Sequence, residues 1–144
     1  MISPEDFWKG RDEKYAEELT DEIRSNAENT LAKVNELLTR AGRTMDRCAS
    51  GWRPRAVNEA TANSGAASRH LTGQAADVVD LDRSLAHWCV NHLGDLEEIG
   101  LWMEDPRWTP TWTHLQTVPP KSGKLVYIPS SAPARDPDFP VSWA

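Results

Sequence analysis

A chain of 144 residues with 39% apolar and 26% charged side chains is the size of one ordinary domain, able to bury a core without a disulfide or a structural metal. Its net charge of −6 argues against nucleic acid as the main partner, because phosphate binding needs a basic face; Arg43, Arg47, Arg53, Arg55 and Arg69 leave room for a local basic patch. No apolar run approaches the ~20 residues of a membrane span. The polar start MISPEDFWKGRDEK lacks a signal-peptide core, so a soluble product without a signal peptide is expected.

Residues 3–19 read as a helix, with Ser3 as cap, Pro4 in the first turn, and Glu5 and Asp6 at the positive end of the dipole. Thr20 marks a second cap or a kink. From there Ile23, Ala27, Leu31, Val34, Leu38 and Ala41 recur at helical spacing until Gly42. The opposite face (Asp21, Arg24, Glu28, Lys33, Glu36) is polar, so this helix packs on one side only. Residues 1–42 carry no catalytic signal and read as helical support.

Residues 43–80 change character. A strand is predicted from Met45 to Ser50, then a long loop carrying Arg53, Asn58 and Ser64-Gly65, then a strand from Gln74 to Val79. A loop of that length in a compact domain is usually functional. Residues 81–96 read as one helix with Leu81, Leu85, Trp88, Cys89, His92 and Leu96 on its apolar face, which makes His92 a packed core residue and His87 a solvated one. Asp80 and Asp82 are candidate caps. Residues 99–104 and 111–117 read as strands, and Leu125–Pro129 as another short one. The fold class is therefore α+β: a small antiparallel sheet packed against N-terminal and central helices. A single domain spans 1–130, with its α+β core in 43–130. The proline-rich residues 131–144 form a C-terminal arm. Cys48 and Cys89 form no CxxC pair and read as buried free thiols. Seven tryptophans are many for this length, and Trp102, Trp108 and Trp112 suit either a substrate groove or a core.

His70 and Asp77 stand seven apart in SRHLTGQAAD, and His114 alternates with Trp112 and Gln116 in TWTHLQT. Imidazole nitrogen and carboxylate oxygen both ligate zinc, and three protein ligands with one open position is the pattern of a catalytic site. The spacing of His70 and Asp77 does not fit one helix face; it fits a turn followed by a strand, with Gly73, Ala75 and Ala76 letting the backbone pass close to a metal. The same residues also admit a plain reading, two surface groups and one histidine on a half-buried strand.

SGWRP, then SRHLTGQAAD, then WTHLQ, in that order, resembles the zinc D-alanyl-D-alanine carboxypeptidases and related phage endolysin peptidases, a group that includes lysostaphin and the sonic hedgehog signalling domain. The match covers roughly residues 45–117, with Ser68, His70, Gly73, Ala75, Asp77 and Arg53 at the family's fixed positions. The resemblance implies a hedgehog/DD-peptidase-like fold with Zn²⁺ held by His70, Asp77 and His114. It also implies a peptidoglycan peptide as substrate and a phage or prophage origin. Such a product is made in the host cytoplasm and acts at the cell wall, or in a virion beside other phage proteins. Arg53 matches the family arginine that holds a substrate carboxylate or carbonyl, a task suited to a bidentate guanidinium, with a structural salt bridge as its alternative and Arg55 as second candidate. Ser68 would position the His70 loop. The family often places a glutamate three residues before the last histidine, or a second histidine nearby; here Thr111 occupies that place and Gln116 follows His114 by two. Glu104 is therefore the expected general base, reached if 99–104 and 111–117 pair as a hairpin, with Asp105 second. Without a base, the alternative is a catalytically weak or inactive zinc-binding module serving as a structural or wall-binding part of a phage particle.

Overall fold

The computed structural model describes residues 1–61 and 68–129. The Ser64-Gly65 part of the long loop and the 131–144 arm lie outside the described residues.

The N-terminal segment breaks where a continuous helix was expected. Helix α1 (Pro4–Trp8) is capped by the Ser3 hydroxyl, which accepts the Asp6 N–H at 3.1 Å. Lys9 and Gly10 then both take left-handed φ values, 54° and 73°, so the helical ladder stops. A short α2 (Arg11–Lys14) and a 3₁₀ turn (Ala16–Glu18) follow. Thr20 caps the main helix α3 (Asp21–Arg40) by accepting the Ile23 N–H at 3.1 Å. Ala27, Val34 and Leu38 of the helical pattern are buried, joined by Thr30 and Leu37.

The sheet has five strands in the order β1 (Cys48–Ser50), β2 (Ala75–Val79), β4 (Trp112–Gln116), β3 (Trp102–Glu104), β5 (Val126–Tyr127). All neighbours pair antiparallel except β3 and β5, which are parallel, so the sheet is mixed. The slot beside β4 is already filled by β3. A chain that leaves β4 and turns back must therefore settle outside β3, running the same way as it does. Helix α4 (Arg55–Ala60) interrupts the long loop.

The predicted helix over 81–96 is two helices, α5 (Ser84–Val90) and α6 (Leu93–Ile99). The Asp80 carboxylate accepts the N–H groups of Leu85 and Ala86 at 3.0 and 2.8 Å, and Asp82 accepts that of Ser84 at 3.1 Å, so both aspartates cap α5. Leu81 falls before the helix and is 75% exposed. The break at Asn91–His92 also overturns the core placement of His92: it is exposed, stacked on Trp88 with ring centroids 4.1 Å apart.

Strand alternation sorts the sheet into two faces. Ala76, Val78, Met103 and Leu115 point to the core, which they share with Val34, Leu37 and Leu38 of α3, Leu85, Ala86 and Cys89 of α5, and Leu96 of α6. Cys48 and Cys89 are buried free thiols, as their spacing suggested. No helix among the described residues is long and apolar enough to cross a membrane.

Candidate metal centre

The other face of the sheet collects the polar residues. Ser50, Asp77, His114, Gln116 and Glu104 come from four adjacent strands. The β2–β4 register sets Asp77 directly opposite His114, and the β3–β4 register extends to bring Glu104 beside it. His70 arrives from outside the sheet on a 3₁₀ turn (Arg69–Thr72).

That turn is fixed by hydrogen bonds at each end. Ser68 Oγ accepts the His70 N–H at 3.3 Å, the positioning task expected of it. Arg53 N–H donates to the His70 carbonyl at 3.0 Å. Helix α3 holds the far end: Thr30 Oγ1 donates to the Gly73 carbonyl at 2.8 Å and Asn26 to that of Thr72 at 3.1 Å. Gly73 has φ +74°, and a Cβ there would lie 2.9 Å from the Ile23 carbonyl oxygen. Its smallness therefore serves close approach to α3, not to a metal.

His70, Asp77 and His114 are all buried, and one ligand atom from each lies within 4.8 Å of the others, so the three could hold a metal ion. The protonation pattern makes the case sharper. His70 Nδ1 lies 2.7 Å from the Gly51 carbonyl oxygen, an atom that can only accept, so Nδ1 carries a proton. Burial lowers the His70 pKa, outweighing the Asp77 charge that would raise it, and the ring is neutral. Its Nε2 is then a bare lone pair. Nε2 lies 3.2 Å from Asp77 Oδ2 and has no hydrogen-bond partner among the described residues. A lone pair facing a carboxylate oxygen in a buried site is unfavourable unless a cation stands between them.

Asp77 is the hub. Its Oδ1 meets His114 Nδ1 at 2.8 Å and its Oδ2 meets Arg53 Nη2 at 3.1 Å. Burial would raise its pKa, but the hydrogen bond and positive charge of His114 hold it well below the usual carboxylate range. For His114, burial favours the neutral ring, yet Glu104, Asp77 and Gln116 outweigh it and lift the pKa to about 9. In the metal-free chain His114 is therefore a cation offsetting Asp77.

Arg53, 8% exposed, is committed inside the site: besides Asp77 it donates to Ser50 Oγ at 2.9 Å and to Asn58 Oδ1 at 3.4 Å. The structure thus displays the salt-bridge alternative for this residue. Arg55 is exposed on α4 and its backbone N–H bonds Glu18, so it does not reach the triad through that contact. Glu104 does reach it: its Oε1 lies 3.6 Å from His114 Nε2, and its carboxylate accepts no hydrogen bond among the described residues. Burial raises its pKa, against the opposing pull of His114. Asp105 is bound away from the site, its oxygens taken by Arg107 at 2.6–3.2 Å, and it caps the following turn.

No family model, curated protein or solved structure matches this chain. The site stands on its own geometry.

Two residues that the sequence did not single out complete it. Gln116 Oε1 accepts from His114 Nε2 at 2.8 Å, and the Tyr127 hydroxyl donates to the same oxygen. Alternation along β4 already put Gln116 on the His114 face; nothing in the sequence tied Tyr127 to either. Trp102 and Trp112 share this face and are half-buried, while Trp52 is the tryptophan of the core.

Proposed function

We propose that this chain is a zinc-dependent peptidase that hydrolyses a peptide bond in bacterial peptidoglycan, as a D-alanyl-D-alanine carboxypeptidase or a stem-peptide endopeptidase, and that it is of phage or prophage origin. The observation that carries the reading is the buried Nε2 of His70, without a hydrogen-bond partner among the described residues and turned on Asp77 Oδ2, with His114 on the other carboxylate oxygen. Two ligands at ~2.0–2.2 Å from a tetrahedral ion stand roughly 3.3–3.6 Å apart, close to the 3.2 Å between those two atoms. The donor set, two imidazoles and one carboxylate, suits zinc and leaves a fourth position for water. Zinc bound there would acidify that water and polarise the scissile carbonyl.

The remaining roles fall to the chain's own groups. Glu104, buried enough to hold a raised pKa and free of hydrogen bonds among the described residues, accepts the proton of the attacking water and returns it to the leaving amine. Arg53 orients Asp77 through their ion pair at 3.1 Å. The half-buried faces of Trp102 and Trp112, either side of His114 along the sheet, offer flat walls for a peptide. The nearness of Glu104 supports an enzyme over an inactive structural or wall-binding module, because it supplies the base that the family position at Thr111 lacks.

The test is digestion of purified peptidoglycan with mass spectrometry of the fragments, beside elemental analysis of protein prepared without chelator. One zinc per chain, lost in His70→Ala, and fragments with a new amine and a new carboxyl end are expected. Stoichiometric zinc with intact peptidoglycan would leave only the wall-binding or virion-structural module; absence of zinc would end both.

A further inference from the structure

Zinc can meet His114 at either ring nitrogen, and the residues behind the ring decide which. Gln116 is 5% exposed and its side-chain amide is pinned at both ends. Its Nε2 donates to the Val118 carbonyl at 2.7 Å. A carbonyl oxygen only accepts, so the NH₂ end of the amide must face Val118 and the oxygen end must face His114 and Tyr127. Flipping the amide would set its oxygen against the Val118 oxygen and its NH₂ against the His114 N–H, losing both of those hydrogen bonds and leaving the Tyr127 hydroxyl as an acceptor. The Tyr127 hydroxyl, donating to Gln116 Oε1 from β5, adds a second lock from the neighbouring edge of the sheet.

We propose that Gln116 is a positioning residue whose pinned amide oxygen accepts the His114 Nε2–H, so that Nδ1 is the nitrogen presented to the metal. This rests on the reading of His70, Asp77 and His114 as a zinc centre. Position fits: Nδ1 is the ring atom on the Asp77 side, 2.8 Å from Oδ1, while Nε2 points along the sheet to Gln116. The two histidines are then held in opposite tautomers by unlike devices. A backbone carbonyl, that of Gly51, keeps the proton on His70 Nδ1, and a side-chain amide keeps it on His114 Nε2. A ring whose far nitrogen is hydrogen-bonded is fixed in orientation and is a better donor to a metal. Tyr127 acts one step further back, on the amide.

The test uses nitrogen-15 and proton NMR of the histidine rings in the whole chain, together with zinc titration against a chromophoric chelator. A slowly exchanging His114 Nε2–H is expected in both metal-free and zinc-loaded protein, with zinc on Nδ1 in the loaded form. Gln116→Leu should lose that slow ring proton in the metal-free chain and weaken zinc by about 10–100-fold. Tyr127→Phe should keep the proton and weaken zinc less than Gln116→Leu. Zinc on Nε2, or a wild-type Nε2–H that exchanges freely, would overturn the proposal, as would Gln116→Leu binding zinc with unchanged affinity. If the wild-type chain shows the protected Nε2–H yet takes up no zinc, the metal reading fails and the amide's hold on the ring stands.

Discussion

The two faces of the sheet are made by alternate residues of the same strands and are almost equally dry. Leu115 on one face is 0% exposed, and His114 and Gln116 on the other are both 5% exposed. On the helix side, each buried group gains by leaving water and needs nothing from its neighbour but shape. On the site side, each buried group loses by leaving water and must be repaid by a specific partner. Ser50, Arg53, Asp77, His114, Gln116 and Tyr127 form one connected set of hydrogen bonds and ion pairs. The set leaves His70 Nε2 out. The lesson is that burial alone does not mark the functional face; a buried cluster of metal-type donors, with the His70 Nε2 lone pair turned on the Asp77 carboxylate, does.

The sharpest way to separate the faces is to remove function without touching stability. Glu104→Gln should cut peptidoglycan hydrolysis by about 10²–10⁴-fold, the usual worth of a general base, with zinc content unchanged and melting temperature no lower. Retention of full activity would put the base elsewhere. The converse change belongs to the core face: Leu115→Ala should lower unfolding free energy by about 2–5 kcal/mol in denaturant titration, while the folded protein still takes up one zinc.

The pH response should differ between faces too, since only the site titrates. His114 is raised to about 9 in the metal-free chain against ~6.5 unfolded. Its contribution to stability is therefore full below ~6.5 and lost as pH rises through about 9, so the metal-free melting temperature should fall across that window. Zinc must displace a proton from this ring. Its apparent affinity should weaken by up to roughly tenfold per pH unit below about 9, which calorimetry in buffers of different ionisation enthalpy would show as proton release. A flat metal-free melting profile from pH 6.5 to 9.5 would mean that His114 is not charged there. The smallest effect should come from the tie between the helical support and the site: Thr30→Val, which deletes the bond to the Gly73 carbonyl, should cost about 1 kcal/mol and leave activity nearly intact.

Much of the candidate site was legible in the sequence. The SxHxxGxAxD run with the later WTHLQ supplied His70, Asp77 and His114, and the expected hairpin of 99–104 with 111–117 brought Glu104 to the last of them. Asp105, the second choice for the base, does not reach the site. The next residue along a strand points to the other face, and there Arg107 claims it. The helix predictions failed where a backbone turn intervenes within an unbroken apolar period: at Lys9–Gly10 within 3–19, where Gly10 takes a left-handed φ, and at Asn91–His92 within 81–96.

The sequence by itself determined the donor types, their order and the alternation that puts Trp112, His114 and Gln116 on one face of their strand, because those are local properties of residue identity and a period of two. Tertiary structure alone decided which atoms meet. Gly51 fixing the His70 proton, Arg53 turning inward to Asp77, and Tyr127 reaching Gln116 from the far side of β3 all join residues distant in the chain. Such contacts follow from strand order and register, which are set by how the whole apolar face packs on α3, α5 and α6, and no local pattern encodes them.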